Sequence, residues 1–437
     1  MRPISTMLHL DGWKNLLSGV GTRRDKVTTM SVAQPRPFTD LDLSMLYMGD
    51  GLSASIVDTL PEDAVKTGWE ISGDDGTLYK ALKKLALPTA LKKALAWANL
   101  YGGALLVMDI GGAGAWDTPL PSDLSRLSLR GFRVYPRSRI EFLSQDMVKD
   151  PQSPYFEDFE WFEIYNKLGG TFRVHASRCI PFHGVEVPDK VNAGFTEEQL
   201  YWGLSILPRC AEAVSALAGT MQGVGNLGQE LSIGKYKIAN LEQMVAEGDT
   251  KGLQDRMTAI AMQKSIINGV LLGEGEDYTR DNLSLSGANE LMDKMFLNVA
   301  ATSRYPETKL FGRSPSGENA TGESDMENYY SRVATLQEEI LGPALVRIAT
   351  LLNATLKVLP AEDPLEVTFN PLWTQSDTEK STVRKTLADA DNIYIQAGVL
   401  SPDEVRENRF VGGYSMETSV DSTNLKPLSG PEPGTGE

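Results

Sequence analysis

Between residues 324 and 354, apolar side chains fall at Met326, Tyr329, Tyr330, Val333, Leu336, Ile340, Leu341, Leu345, Ile348 and Leu352, the spacing of one helical face. The pattern predicts one long helix. Gly342-Pro343 lies inside the stripe, where a missing N–H and a proline ring predict a kink. The preceding residues, 307–323, are rich in Gly, Ser and Asn and predict a flexible loop, with Gly317 and Gly322 as hinge candidates.

The N-terminal half alternates short elements. Helical spacing covers 54–65, with Pro61-Glu62-Asp63 opening a fresh turn, and 83–100 as an amphipathic helix. Residues 68–71, 104–110, 132–135, 159–165, 171–175 and 180–183 predict strands, and the Gly169-Gly170 turn makes a hairpin of 159–165 and 171–175. Thr196-Glu197-Glu198-Gln199 reads as a capping box ahead of helical spacing at Leu204, Leu207, Ala211, Val214, Leu217 and Met221. A short strand at 236–238, a helix at 249–265 and a hairpin of 266–272 with Tyr278-Thr279 follow. Ser286 should cap a helix bearing Leu291, Met292, Met295, Phe296 and Val299. Beyond the long helix, 365–369 predicts a strand. Ser376-Asp377-Thr378-Glu379 opens a helix to 396, and Ser401-Pro402 a shorter one. Residues 1–37 read as a mobile arm and 421–437 as a disordered tail. The fold class is α+β.

Length and composition refine this only slightly. A chain of 437 residues implies two or more substructures, and 41% apolar content permits a sizeable core. A net charge of −16 argues against tight wrapping of nucleic acid, although not against DNA passing without adhering. Cys179 and Cys210 give no disulfide framework and read as small buried residues. The first residues lack the charged, apolar, small-residue order of a leader, and no run reaches the length of a membrane span; a soluble chain made in the cytoplasm is expected.

Several motifs invite catalytic readings that their contexts oppose. Gly223-Val224-Gly225-Asn226-Leu227-Gly228 matches a dinucleotide fingerprint but follows a helix, so a hinge or helix break is expected. Residues 104–114 have strand-then-glycine order but carry Asp117 where a third glycine belongs, and no Lys-Ser/Thr follows. The run 312–317 lacks the strand that a serine-nucleophile turn needs. Three histidines, His9, His175 and His183, do not make a histidine-rich metal site. Acidic clusters at Glu157-Asp158 and 274–277 read as solvated faces. No catalytic residue, metal or cofactor is expected.

The passages LPEDAVKTGWEI at 60–71, YGGALLVMDIGG at 101–112, YWGLSILPRCAEAV at 201–214, the 299–341 segment and FNPLWTQSDTEK at 369–380 together resemble the portal proteins of tailed bacteriophages. That resemblance implies a wing over 38–203 rejoined near 365–373, a stem helix at 204–230, a clip at 231–285 and a second stem helix at 286–306. A tunnel loop at 307–323, a kinked helix with wing closure at 324–375 and a helical crown at 376–420 would complete the chain. It further implies a ring of about twelve subunits at one capsid vertex, carrying duplex DNA in and out without sequence specificity. Expected partners are terminase, major capsid and scaffold proteins, and head-tail adaptor or neck proteins, with no membrane; the location is the virion. About twelve copies would carry roughly −190 in charge, a wall that repels phosphate. The implied channel loop offers Lys309, Arg313, Ser314, Ser316, Gly317, Asn319, Thr321 and Gly322; the implied docking surface offers Lys235, Lys237, Glu274 and Asp277. For Lys309 and Arg313, ordinary inter-subunit pairing is an equal alternative to phosphate contact. Some phage genes related to this family are associated with phosphodiesterases of cyclic oligonucleotides, which need two H-x-S/T motifs. Here only His175-Ala176-Ser177 fits. The alternatives are another ring-forming adaptor and, behind it, a nucleotide-handling enzyme or phosphodiesterase.

Overall fold

The computed structural model describes residues 38–153, 155–167, 169–188, 195–230, 232–237, 277–282, 287–313, 322–360, 365–373 and 377–410, with isolated positions between 251 and 262. The chain divides into two compact units, Met1–Asn370 and Pro371–Glu437. The expected arm at 1–37, the tail at 421–437, the strand at 266–272, Ser286, Ser376 and the loop residues 314–321 lie outside the described residues.

The first unit mixes helix and sheet. It opens with α1 (Asp40–Gly49), α2 (Gly51–Lys66), β1 (Trp69–Ile71), α3 (Thr77–Lys84), α4 (Leu87–Tyr101) and β2 (Gly103–Gly111). Where one helix was expected over 83–100, the chain breaks: Ala86 takes a left-handed φ of 57° and Pro88 sits in the first turn of α4. Proline lacks the N–H that a continuous helix would use there. The reverse holds in α2, which runs through Pro61 without restarting.

Strands β3 (Ser128–Pro136), β4 (Ile140–Glu141), β5 (Trp161–Tyr165), β6 (Thr171–His175) and β7 (Cys179–His183) form two antiparallel sheets of order β3-β2-β7 and β4-β5-β6. Leu105, Val107 and Cys179 from one sheet and Ile140, Phe162, Ile164 and Val174 from the other share one core with Trp202. Even-numbered residues of β2, including Leu106 and Met108, are equally buried. Both faces of β2 are therefore covered, which is why its sequence is apolar without alternation.

Helix α5 (Glu197–Trp202) has the expected capping box, with Thr196 and Gln199 bonded reciprocally. Gly203 then stops it, Leu204 bridges to Val185, and α6 runs from Leu207 to Glu230. Three glycines explain the break. A Cβ on Gly102 would lie 2.5 Å from the Gly203 carbonyl oxygen, and one on Gly184 would lie 2.6 Å from the Gly102 Cα. Three backbones meet with no room for side chains. The expected hinge at 223–228 is absent, because α6 passes through Gly223 and Gly225.

Helix α6 packs against α7 (Ala288–Ser303), and the pair leads into strands β8 (Ser232–Lys237) and β9 (Asp277–Asn282). β9 pairs antiparallel with β8, and the first arm of the hairpin expected with Tyr278-Thr279, residues 266–272, lies outside the described residues. The α7 cap is Gly287, at a φ of 89° and without a side-chain bond, in place of Ser286. After α7 the chain forms α8 (Glu307–Phe311), so the first residues of the expected loop are helical. Helix α9 (Glu323–Leu336) and α10 (Gly342–Leu356) are joined by a π-turn, Gln337–Leu341. The predicted kink takes this form: the Gly342 N–H reaches back five residues to Gln337, just before the Pro343 ring. The run Ser324–Leu356 is, by length and composition, able to cross a membrane, contrary to expectation. Its buried residues Leu341, Leu345, Ile348 and Leu352 supply core contacts that account for the same apolarity. Strand β10 (Val367–Phe369) returns to pair with β1, placing Trp69 opposite Phe369.

The second unit contains α11 (Asp377–Gln396) and α12 (Pro402–Phe410). Ser401 and Glu404 form a capping box at α12, and Arg409 donates twice to the buried Asp391.

Candidate functional site

Helix α2 carries Ile56, Val57, Leu60, Asp63 and Ala64 on its buried side, so a carboxylate stands on an apolar stripe. Asp63 is only 6% exposed and has two partners, one on α8 and one on α9, the helices on either side of residues 314–321. From α8, the Lys309 ammonium lies 2.7 Å from Oδ2; from α9, the Tyr329 hydroxyl donates to the same oxygen at 2.7 Å. Burial and the neighbouring carboxylate push the Tyr329 phenol well above its usual range, so it stays a donor.

Tyr305 supplies a second tie. Its hydroxyl accepts the Leu60 N–H at 3.2 Å and donates to the Ile56 carbonyl at 2.9 Å, inserting into the α2 ladder one residue before Pro61. Pro61 also leaves the Val57 carbonyl without its helical donor, and Asn99 Nδ2 takes that role at 3.2 Å. Gln337, in the π-turn, donates to the Ala64 carbonyl at 2.8 Å. A proline-weakened helix is thus completed by side chains from α4, the α7–α8 junction and the π-turn. Desolvation pushes the Tyr305 phenol up to about 12.

Arg313 continues the network. It reaches Asp293 at 2.6 Å and Glu307 at 3.7 Å, and its guanidinium stacks over Phe296. The Asp293 hydrogen bond raises its pKa further. Lys309 and Arg313, expected as sparse phosphate contacts or inter-subunit partners, both have carboxylate partners within this chain. Gly312 and Gly322 bracket the undescribed stretch at φ of 68° each. Ser314, Ser316, Gly317, Asn319 and Thr321 lie outside the described residues. In the β8–β9 pair Lys237 stands opposite Asp277 and Lys235 opposite Thr279, while Glu274 is not described.

The motifs with catalytic readings have structural partners. His175 ends β6, buried; its Nδ1 accepts the Ser177 N–H, and its Nε2 lies 3.8 Å from Glu160. Ser177 Oγ in turn accepts the Leu120 N–H. Arg178 is buried and donates to the carbonyls of Ala113, Ala115 and Thr118, so the turn after Gly111-Gly112 presents oxygens to a guanidinium, not amides to phosphate. Gly223–Gly228 amides lie within α6. Among the described residues, no group of three His, Cys, Asp or Glu side chains is arranged to hold a metal.

A sequence model of the phage portal protein family matches residues 42–393. The chain belongs to that family. A Caulobacter sp. (strain RHG1) protein described as "Anti-CBASS protein Acb1" is 28% identical over 95% of this chain and 68% of its own length. A Haemophilus influenzae protein is 28% identical over 96% of this chain and 95% of its own. A Sphingomonas paeninsulae protein, also described as "Anti-CBASS protein Acb1", is 27% identical over 90% of this chain, which spans 63% of that relative. Among solved structures, a chain from the virion of a native gene transfer agent particle aligns at a TM-score of 0.48, with 13% identity over 87% of this chain and 97% of the other. An HK97 family phage portal protein from Corynebacterium diphtheriae aligns at 0.39, with 9% identity over 75% and 95%.

Proposed function

We propose that this member of the phage portal protein family is a portal subunit. It assembles into a ring of about twelve copies at one capsid vertex, through which terminase drives duplex DNA inward and from which the genome later leaves. Membership of the family over 42–393 is the observation that carries this reading. In this assignment the two sheets with α1–α5 and the β1–β10 closure are the wing. Helices α6 and α7 are the stem, β8 and β9 belong to the clip, and α11–α12 form the crown. Residues 307–323 form the channel loop. The clip, with Lys235, Lys237, Glu274 and Asp277, meets motor and neck. Capsid, scaffold and adaptor proteins surround the ring in the virion.

Within this reading Lys309 and Arg313 serve chiefly to fix the loop's feet, through Asp63 and Asp293. Phosphate would meet the neutral groups Ser314, Ser316, Asn319 and Thr321, and an acidic wall keeps contacts transient. The test is complementation of a phage lacking its portal gene. Deleting residues 314–321 should preserve empty proheads and impair packaging or retention of DNA. Full-length packaging and retention by the deletion would remove the loop from the channel.

The name of two relatives, "Anti-CBASS protein Acb1", supports considering a second reading, the phosphodiesterase alternative raised by the sequence. This chain covers about two thirds of each of those relatives. Its single H-x-S motif is occupied by structural bonds, with His175 buried and Ser177 holding Leu120. We infer that the described residues carry no phosphodiesterase chemistry. Cleavage of a cyclic oligonucleotide by the purified chain, lost in His175→Ala, would contradict this.

A further inference from the structure

The sheet β3-β2-β7 has two edges of different character. β7 carries Pro181, a residue that cannot donate to an added strand and blunts the edge it occupies. β3 is nine residues long and has no proline before its last position. Alternate residues of such an edge turn N–H and C=O away from the sheet. Among the described residues, no hydrogen bond beyond the β2 ladder engages the backbone of 131–135.

A groove of about 360 Å³ runs along this open edge. Ala86, Thr89 and Lys93 line one side, and Phe132, Val134 and Tyr135 the other. Consecutive strand residues 132–135 all border it, so it follows the strand's rim and not one face of the sheet. Its surroundings are cationic. Lys93 is exposed beside the Trp97 ring, and Lys83 and Lys84 are exposed at the end of α3, where the groove begins. Arg133, although paired with Asp109, keeps 56% of its side chain exposed. This is a positive rim on a chain whose net charge is −16.

We propose that the β3 edge is a docking site for an extended, acidic segment of a partner protein, which adds a strand beside residues 131–135. Main-chain hydrogen bonds would supply affinity, and Lys83, Lys84 and Lys93 would select carboxylates. Continuation of the sheet by a second copy is disfavoured on both sides: two β3 edges would bring like charges together, and β7 is blunted by Pro181.

The probe is a labelled peptide with Glu at alternate positions and Thr or Val between them, followed by fluorescence anisotropy with the full chain. Binding should be saturable and weaken with salt. N-methylation of the peptide's alternate amides, which keeps its charge and removes the ladder donors, should weaken binding roughly tenfold or more. Lys83→Glu with Lys93→Glu, both at exposed positions, should weaken it by a comparable factor without altering the circular dichroism spectrum. No binding of the parent peptide would overturn the proposal. So would equal binding of the N-methylated peptide, or displacement by duplex DNA at equal charge concentration, either of which would show a cationic patch without strand addition.

Discussion

Replacing Asp63 by alanine should destabilise the first unit more than any surface change. The carboxylate is 6% exposed and holds Lys309 and Tyr329 at 2.7 Å each. Removing one member of a buried pair costs about 3–5 kcal/mol when the other charge stays buried. Lys309 keeps 24% of its side chain exposed and can turn toward water, which lowers that part. The Tyr329 hydroxyl, 3% exposed with its residue, loses its acceptor and adds to the cost. About 3–4 kcal/mol is expected in total. Asp63→Asn keeps an acceptor for Tyr329 and should cost about 1–2 kcal/mol. Lys309→Met keeps the stem and leaves the carboxylate with one donor. The double variant should recover about 1–2 kcal/mol relative to the sum of the singles, because the two charges act on each other. Urea unfolding followed by intrinsic fluorescence, at one protein concentration throughout, measures these values. An Asp63→Ala variant within about 0.5 kcal/mol of the parent would refute the reasoning.

Tyr305→Phe should cost about 1–3 kcal/mol, since it leaves Leu60 N–H and Ile56 C=O facing a gap beside Pro61; hydrogen exchange should rise first in α2. The same tyrosine gives an alkaline signature. Its phenol is pushed up to about 12, so its stabilisation is complete below pH 10 and declines as pH rises through 12, and the variant should show a shallower decline. Burial lowers the His175 pKa, so its contribution is present above about pH 6.5 and fades as pH falls toward the folded value; His175→Gln should flatten that acid limb in urea midpoints. Burial pushes the Cys210 thiol up to about 11 and the Cys179 thiol higher, so neither should react with a thiol reagent at pH 8 until urea unfolds the chain.

Local signals in the sequence were dependable where one residue type has one physical consequence. Thr196 and Ser401 announce caps because their hydroxyls satisfy orphan amides, and Gly342-Pro343 announces a kink because proline cannot donate. Pro88 carried the same information about the α3–α4 break, and the amphipathic spacing around it obscured that. Gly223 and Gly225 show the opposite error, since glycine permits a break without enforcing one when flanking residues pack as a helix. The node at Asp63 was hidden for a different reason. An acidic residue reads as surface, and its partner lies 246 positions away; only its place on the buried stripe of α2 betrayed it. Tyr329 stood on the apolar stripe of the long helix without revealing its partner, and Tyr305 and Asp293 lacked even that signal. The glycine contacts among Gly102, Gly184 and Gly203 account for glycine at these positions, yet no pattern in the sequence states which three backbones meet.

Negative-stain electron microscopy of the purified chain, with class averages viewed along the axis, tests the portal reading most directly. The account predicts closed rings of about twelve subunits around a channel wide enough for duplex DNA, with mass photometry giving the same count. A population that stays monomeric at every concentration, with no ring in any class, would contradict it.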